Sequence, residues 1–153
     1  MKVSEIMHSG VASIHQDLPL REVAQALVRW RITGAPVVDD EGVPVGVVTL
    51  ADLAAHAAGL DRAREARYLT DLTEPPYEES PEWGRLDGDA KARSLMTTFI
   101  VRVEEETPVA ELVDLVTGTG IHRVFVTRNG KLTGVVSTID LVRLLGRLLQ
   151  VPA

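Results

Sequence analysis

The chain has 153 residues, 45% apolar and 25% charged, with a net charge of -6 and no cysteine. That length suits one compact domain or two small halves sharing a core. The composition excludes disulfides, thiol nucleophiles and thiolate metal sites, and the acidic balance disfavours nucleic-acid binding, which rests on phosphate neutralisation. No stretch approaches the roughly 18 consecutive apolar residues of a membrane span. The opening MKVSEIMHSG has no apolar run after its lysine, so neither a membrane span nor a secretory signal is expected, and a cytoplasmic location fits.

In chain order, residues 1–60 open with VASI (11–14), a short extended run. A helix follows, with Leu20, Val23 and Leu27 as its buried stripe. Leu18 stands at the cap position, a poorer cap, with Asp17 just before it. APVVDDEGVPVGVVT (35–49) reads as two strands around a turn at Gly42. A second helix starts after Thr49. Residues 61–89 form a linker: Arg62 to Tyr68 can extend the helix, then EPPYEESPEWG reads as an acidic, proline-rich loop with Tyr77 and Trp83 as surface anchors. Residues 90–153 begin again with IVRV (100–103). Thr107 is the expected N-cap of the next helix, with Pro108 in its first turn. RVFVTRNGKLTGVVS (123–137) gives two strands, and Asn129-Gly130 is a strong hairpin signal. A last helix follows Ser137.

The two halves are one pattern written twice. A shift of 89 places Met7 on Met96, Pro19 on Pro108, Glu22 on Glu111, Ile32 on Ile121 and Val37 on Val126. After the turn the shift is 88, and Gly42, Gly46, Val47, Val48, Asp52 and Leu53 fall on Gly130, Gly134, Val135, Val136, Asp140 and Leu141. Each copy is β-α-β-β-α. One copy of about 50 residues can hardly bury enough surface to stand alone. The expected fold is therefore α/β, two such units packed about a pseudo-twofold axis.

The pattern keeps a hydroxyl and a carboxylate three residues apart at a helix start: Thr49 with Asp52, Ser137 with Asp140. Such a pair can cap the helix. It can also serve a ligand, since a helix N-terminus suits phosphate and an acceptor-only carboxylate suits the paired hydroxyls of a ribose.

The chain resembles a tandem pair of CBS domains, a Bateman module. The matching pieces are SEIMHSGVASIHQDLPLREVAQALVRWRITGAPVVDDEGVPVGVVTLADL and RSLMTTFIVRVEEETPVAELVDLVTGTGIHRVFVTRNGKLTGVVSTIDL. The resemblance implies a stand-alone, non-catalytic regulatory module. It would bind an adenosine-containing ligand (AMP, ADP, ATP or S-adenosylmethionine class), with or without Mg2+, in clefts between the repeats, and it would form a homodimer. It further implies that Asp52 and Asp140 hold ribose and that Thr49 and Ser137 lie near phosphate. His122 and Arg123 would reach ligand phosphates, whereas the first copy has Thr33 and Gly34 in their places. Val11, Ala12, Ile100 and Val101 on one strand, and Ala35, Pro36, Val124 and Phe125 on the next, would line the base; plain core is the other reading of all eight.

Other motifs fail. GTGIHR (118–123) has Arg123 where a dinucleotide fingerprint needs glycine, and it follows a helix. His8, His15, His56 and His122 have no metal-ligand spacing, no serine has a nucleophile-elbow context, and the carboxylates of VEEETP fit a solvated helix start. The alanines of ADLAAHAAGL and the stripe Leu141, Leu144, Leu145 and Leu148 read as a dimer interface. With no effector domain in the sequence, the signal would pass to an unidentified effector protein or through self-association. The alternative is a ligand-free interaction or oligomerisation module.

Overall fold

A computed structural model of the protein describes residues 1–59 and 89–150. The helical extension at Arg62 to Tyr68, the acidic loop and the anchors Tyr77 and Trp83 lie outside the described residues. The first copy contributes β1 (His8–Ser9), β2 (Ile14–His15), α1 (Leu20–Trp30), β3 (Gly34–Val38), β4 (Pro44–Thr49) and α2 (Leu50–Ala57). The second contributes α3 (Ala92–Leu95), β5 (Arg102–Glu104), α4 (Val109–Thr119), β6 (Arg123–Arg128), β7 (Lys131–Ser137) and α5 (Thr138–Leu149). The fold is mixed α/β with two repeats. Strand pairing begins later than the apolar runs suggest: only Ile14 of VASI, and Arg102 and Val103 of IVRV, lie in strands.

The chain groups into two units, Met1–Ala12 with Val38–Val45 and Phe99–Ala153, and Ser13–Val37 with Gly46–Thr98. In the first, the sheet order is β1-β7-β6-β5. Strand β1 runs antiparallel to β7, β7 antiparallel to β6, and β5 parallel to β6. Val3, Leu112, Val116, Val124, Val126 and Val136 form its core, with Ile6, Met7, Val101, Val103 and Leu141 packed against them. Each such buried Val or Leu side chain is worth about 1.5–3 kcal/mol. The other sheet has the order β2-β3-β4. Ile14, Leu20, Val23, Leu27, Val37, Val48 and Leu53 are buried there, which places the α1 stripe as its periodicity predicts.

The leaders of the two copies are exchanged. Val3 N–H donates to the Thr107 carbonyl (2.9 Å), Ser4 N–H to Glu105 (3.0 Å), and Val109 N–H to Met1 (3.1 Å). The same bonds recur 89 residues away: Ala92 N–H to Leu18 (2.9 Å), Arg93 N–H to Gln16 (3.0 Å) and Leu20 N–H to Ala90 (3.2 Å). The pairing of His8 with Val135 has its counterpart in the Val47–Thr97 bridge. Each copy thus lends its first residues to the other copy's strands.

This exchange also corrects the expected cap at Thr107. The N-cap positions of α4 and α1 are Pro108 and Pro19, and neither side chain caps. The first helical N–H groups instead donate to Met1 and Ala90 of the exchanged leaders, and the Thr107 carbonyl is used by Val3. The β6–β7 hairpin matches its signal: Arg128 pairs with Lys131, and Asn129 (φ 52°) and Gly130 (φ 78°) make a two-residue turn with both φ positive.

Candidate functional site

Both hydroxyl–carboxylate pairs sit where a strand runs into a helix. Thr49 is the N-cap of α2 and Ser137 that of α5, each in extended conformation. Asp52 and Asp140 occupy the third helical position and are each only 7% exposed. The caps are formed: Thr49 N–H donates to Asp52 Oδ2 (2.8 Å) and Asp52 N–H to Thr49 Oγ1 (3.2 Å). Ser137 N–H donates to Asp140 Oδ2 (2.8 Å). The hydroxyls differ in use, because Ser137 Oγ donates to that same Oδ2 (2.6 Å).

Asp140 has two further partners that sequence reasoning missed. Its Oδ1 accepts from His8 Nε2 (2.8 Å) and from Arg143 Nη1 (3.1 Å). Burial alone pushes this carboxyl up; the hydrogen bonds from the Ser137 side chain and backbone, and then from His8, outweigh it and hold the pKa at about 2. Arg143 lies three residues along the same helix, a spacing that places it beside Asp140 and could have been read from the sequence. His8 reaches the site only because the leader is exchanged.

The basic pair joins the same place. Arg123 pairs with Ser137 across β6 and β7, so their side chains leave the same sheet face. The His122 carbonyl accepts from Thr138 N–H (3.0 Å), the first residue of α5. In the first copy the Thr33 carbonyl accepts from Leu50 N–H (2.8 Å), and Gly34 lies against Thr49. Ser137, Asp140, His122 and Arg123 are therefore gathered at one helix start, and Thr49, Asp52, Thr33 and Gly34 at the other.

The eight base-lining candidates divide. Val124 (0% exposed) is in the hydrophobic core, and Ala35 (2%), Pro36 and Phe125 (7%) are buried as well. Pro36 shares a strand face with Gly34, and Phe125 with Arg123, by the two-residue alternation of a strand. Val101 is half-buried and its carbonyl accepts from Phe125 N–H (3.0 Å); Val11, Ala12 and Ile100 are half-buried outside the strands.

A family model for the CBS domain matches residues 3–59 and 92–147. The chain belongs to the CBS domain family. An uncharacterized 17.7 kDa protein of Acidianus ambivalens is 25% identical to this CBS protein over 145 residues, 94% of this chain and 73% of that one. Two uncharacterized Methanocaldococcus jannaschii proteins, MJ1232 and MJ1404, are longer, and the chain spans 40% and 31% of their length. Among solved structures, CBSX2 in complex with AMP is 23% identical with a TM-score of 0.67, covering 97% of this chain and 98% of that one. The CBS domain pair of MJ0100, in complex with 5′-methylthioadenosine and S-adenosyl-L-methionine, is 21% identical with a TM-score of 0.62 and the same coverage. These likenesses carry the fold.

Of the stripe expected on α5, the last helix of these CBS repeats, Leu145 and Leu148 are exposed. Leu141 and Leu144 are half-buried, and Leu141 packs on the core. The exposed apolar residues of α5 are Ile139, Val142, Leu145, Leu148 and Leu149. Asp140 is buried on the same helix, and Leu141 and Leu144, on its side, are half-buried. Among the described residues no helix is long and apolar enough to cross a membrane.

Proposed function

We propose that this CBS protein is a non-catalytic regulatory module that binds an adenine nucleotide or a related adenosyl compound. The observation that carries the reading is the twice-built helix start, a buried carboxylate beside a hydroxyl N-cap, with Arg123 across from Ser137 in one copy. Asp52 and Asp140 take ribose hydroxyls, Thr49 and Ser137 approach phosphate, and His122 and Arg123 favour charged ligands in the second copy. Val11, Ala12, Ile100 and Val101, with the strand segments at Ala35, Pro36, Val124 and Phe125, take the base. The ligands of the two similar structures, AMP in one and 5′-methylthioadenosine with S-adenosyl-L-methionine in the other, support the chemical class. Mg2+ accompanies the more phosphorylated members. The ligand acts by binding two states of the protein unequally, and the change passes to an effector protein or through a homodimer using the exposed face of α5, in the cytoplasm.

A thermal-shift panel of adenosine, AMP, ADP, ATP, S-adenosylmethionine, GTP and NAD, with and without Mg2+, tests this. Selective stabilisation by an adenosyl compound is expected, because a ligand of the folded state raises the melting temperature. A flat panel, confirmed by calorimetry, overturns it. One observation favours the ligand-free interaction module instead: the caps already give both carboxylates a structural task.

A further inference from the structure

The carboxylate of Asp140 is saturated by its own chain. It offers about four acceptor positions, and four donors occupy them: Ser137 N–H and Oγ on Oδ2, His8 Nε2 and Arg143 Nη1 on Oδ1. A ribose diol binding there must displace some of them. The Ser137 N–H bond closes the helix cap and is the costliest to open. His8 is the cheapest: its side chain is 63% exposed and sits on a two-residue edge strand. In the first copy the positions matching His8 and Arg143 are Thr97 and Ala55, so these two side chains are not repeated there.

We infer that His8 is a specificity-determining latch on Asp140, held closed in the unliganded protein and released by the ribose diol. This rests on the adenosyl-binding reading. The latch weakens every ligand that uses the carboxylate and leaves unaffected any that does not.

The test uses the full chain carrying Asp52→Asn, so that Asp140 is the one ribose-binding carboxylate left. Calorimetric titrations with adenosine and with 2′,3′-dideoxyadenosine are compared with and without His8→Ala; His8→Gln, which keeps a donor, is the second variant. Removing His8 is expected to tighten adenosine roughly five- to tenfold, the scale of one exposed charge-assisted hydrogen bond, to leave dideoxyadenosine unchanged, and to be partly reversed in His8→Gln. Adenosine binding that is unchanged or weakened, or equal tightening of both ligands, overturns the latch alone. No binding of either nucleoside by any variant overturns the latch, and the adenosyl reading falls with it only if the thermal-shift panel on the parent protein is also flat.

Discussion

Gly34 and Thr49 fit each other through a missing β-carbon. One built on Gly34 would stand 3.0 Å from Thr49 Cγ2 and 3.2 Å from the Val48 carbonyl oxygen. In the second copy Arg123 faces Ser137, a residue without that methyl. Gly34→Arg alone should therefore cost about 1–2 kcal/mol through overpacking. Paired with Thr49→Ser it should recover much of that and give the first copy a preference for AMP over adenosine. Melting curves and titrations of the single and double variants check both halves of the claim.

Arg123→Ala should weaken AMP about tenfold while changing adenosine little, because a guanidinium acts on the phosphate. Equal loss for both ligands, measured by calorimetry, would remove the phosphate role.

Asp140 makes stability depend on acid. Its folded pKa, about 2, lies below the ordinary 3.8. The ionised carboxylate therefore stabilises the fold fully above pH 3.8, and this contribution falls away as the pH drops towards 2, by about 2 kcal/mol at most. Asp140→Asn should flatten that part of the pH–stability curve in urea melts and weaken ligand binding at neutral pH. An unchanged acid limb would show that its bonds to Ser137 and His8 do not survive in solution.

Gly134→Ala should cost about 1–3 kcal/mol. The added carbon would meet Met7 Sδ at 2.6 Å and the His8 carbonyl at 3.0 Å, and the carbonyl belongs to the β1–β7 pairing. Gly46→Ala is the matching test, against Met96 Sδ and the Thr97 carbonyl, both at 2.7 Å. Denaturant unfolding that leaves either variant as stable as the parent would count against close packing of that leader.

Arg31→Gly should stabilise by about 0.5–1 kcal/mol. Arg31 closes α1 in the left-handed region (φ 56°), where the repeat places Gly120 (φ 68°) at the end of α4. A lower melting temperature would contradict this.

Much of this architecture was legible because it is local. The Asn129-Gly130 turn, the caps at Thr49 and Ser137 and the stripe Leu20, Val23 and Leu27 are set by neighbours within a few residues. The leader exchange was not, because it is carried by backbone bonds such as Val3 to Thr107 and Ala92 to Leu18, which leave no mark in residue type. Everything that depended on it was missed or misplaced: the contact of His8 with Asp140, and the cap assigned to Thr107. On α5, Leu145 and Leu148 are exposed as the stripe suggests, but Leu141 and Leu144 are half-buried, because exposed and buried leucines look alike in sequence.

The paired leaders have a consequence for how such a chain can be cut. Every bond that Met1 to Ser4 makes to the second copy is answered by one from Ala90 to Arg93 to the first. A lone repeat would thus carry a tail whose proper seat is on another molecule of the same kind. Two such halves, produced as separate polypeptides, should complement one another by trading tails, whereas either half without its mate would be left with an unfilled edge and a propensity to stick to itself.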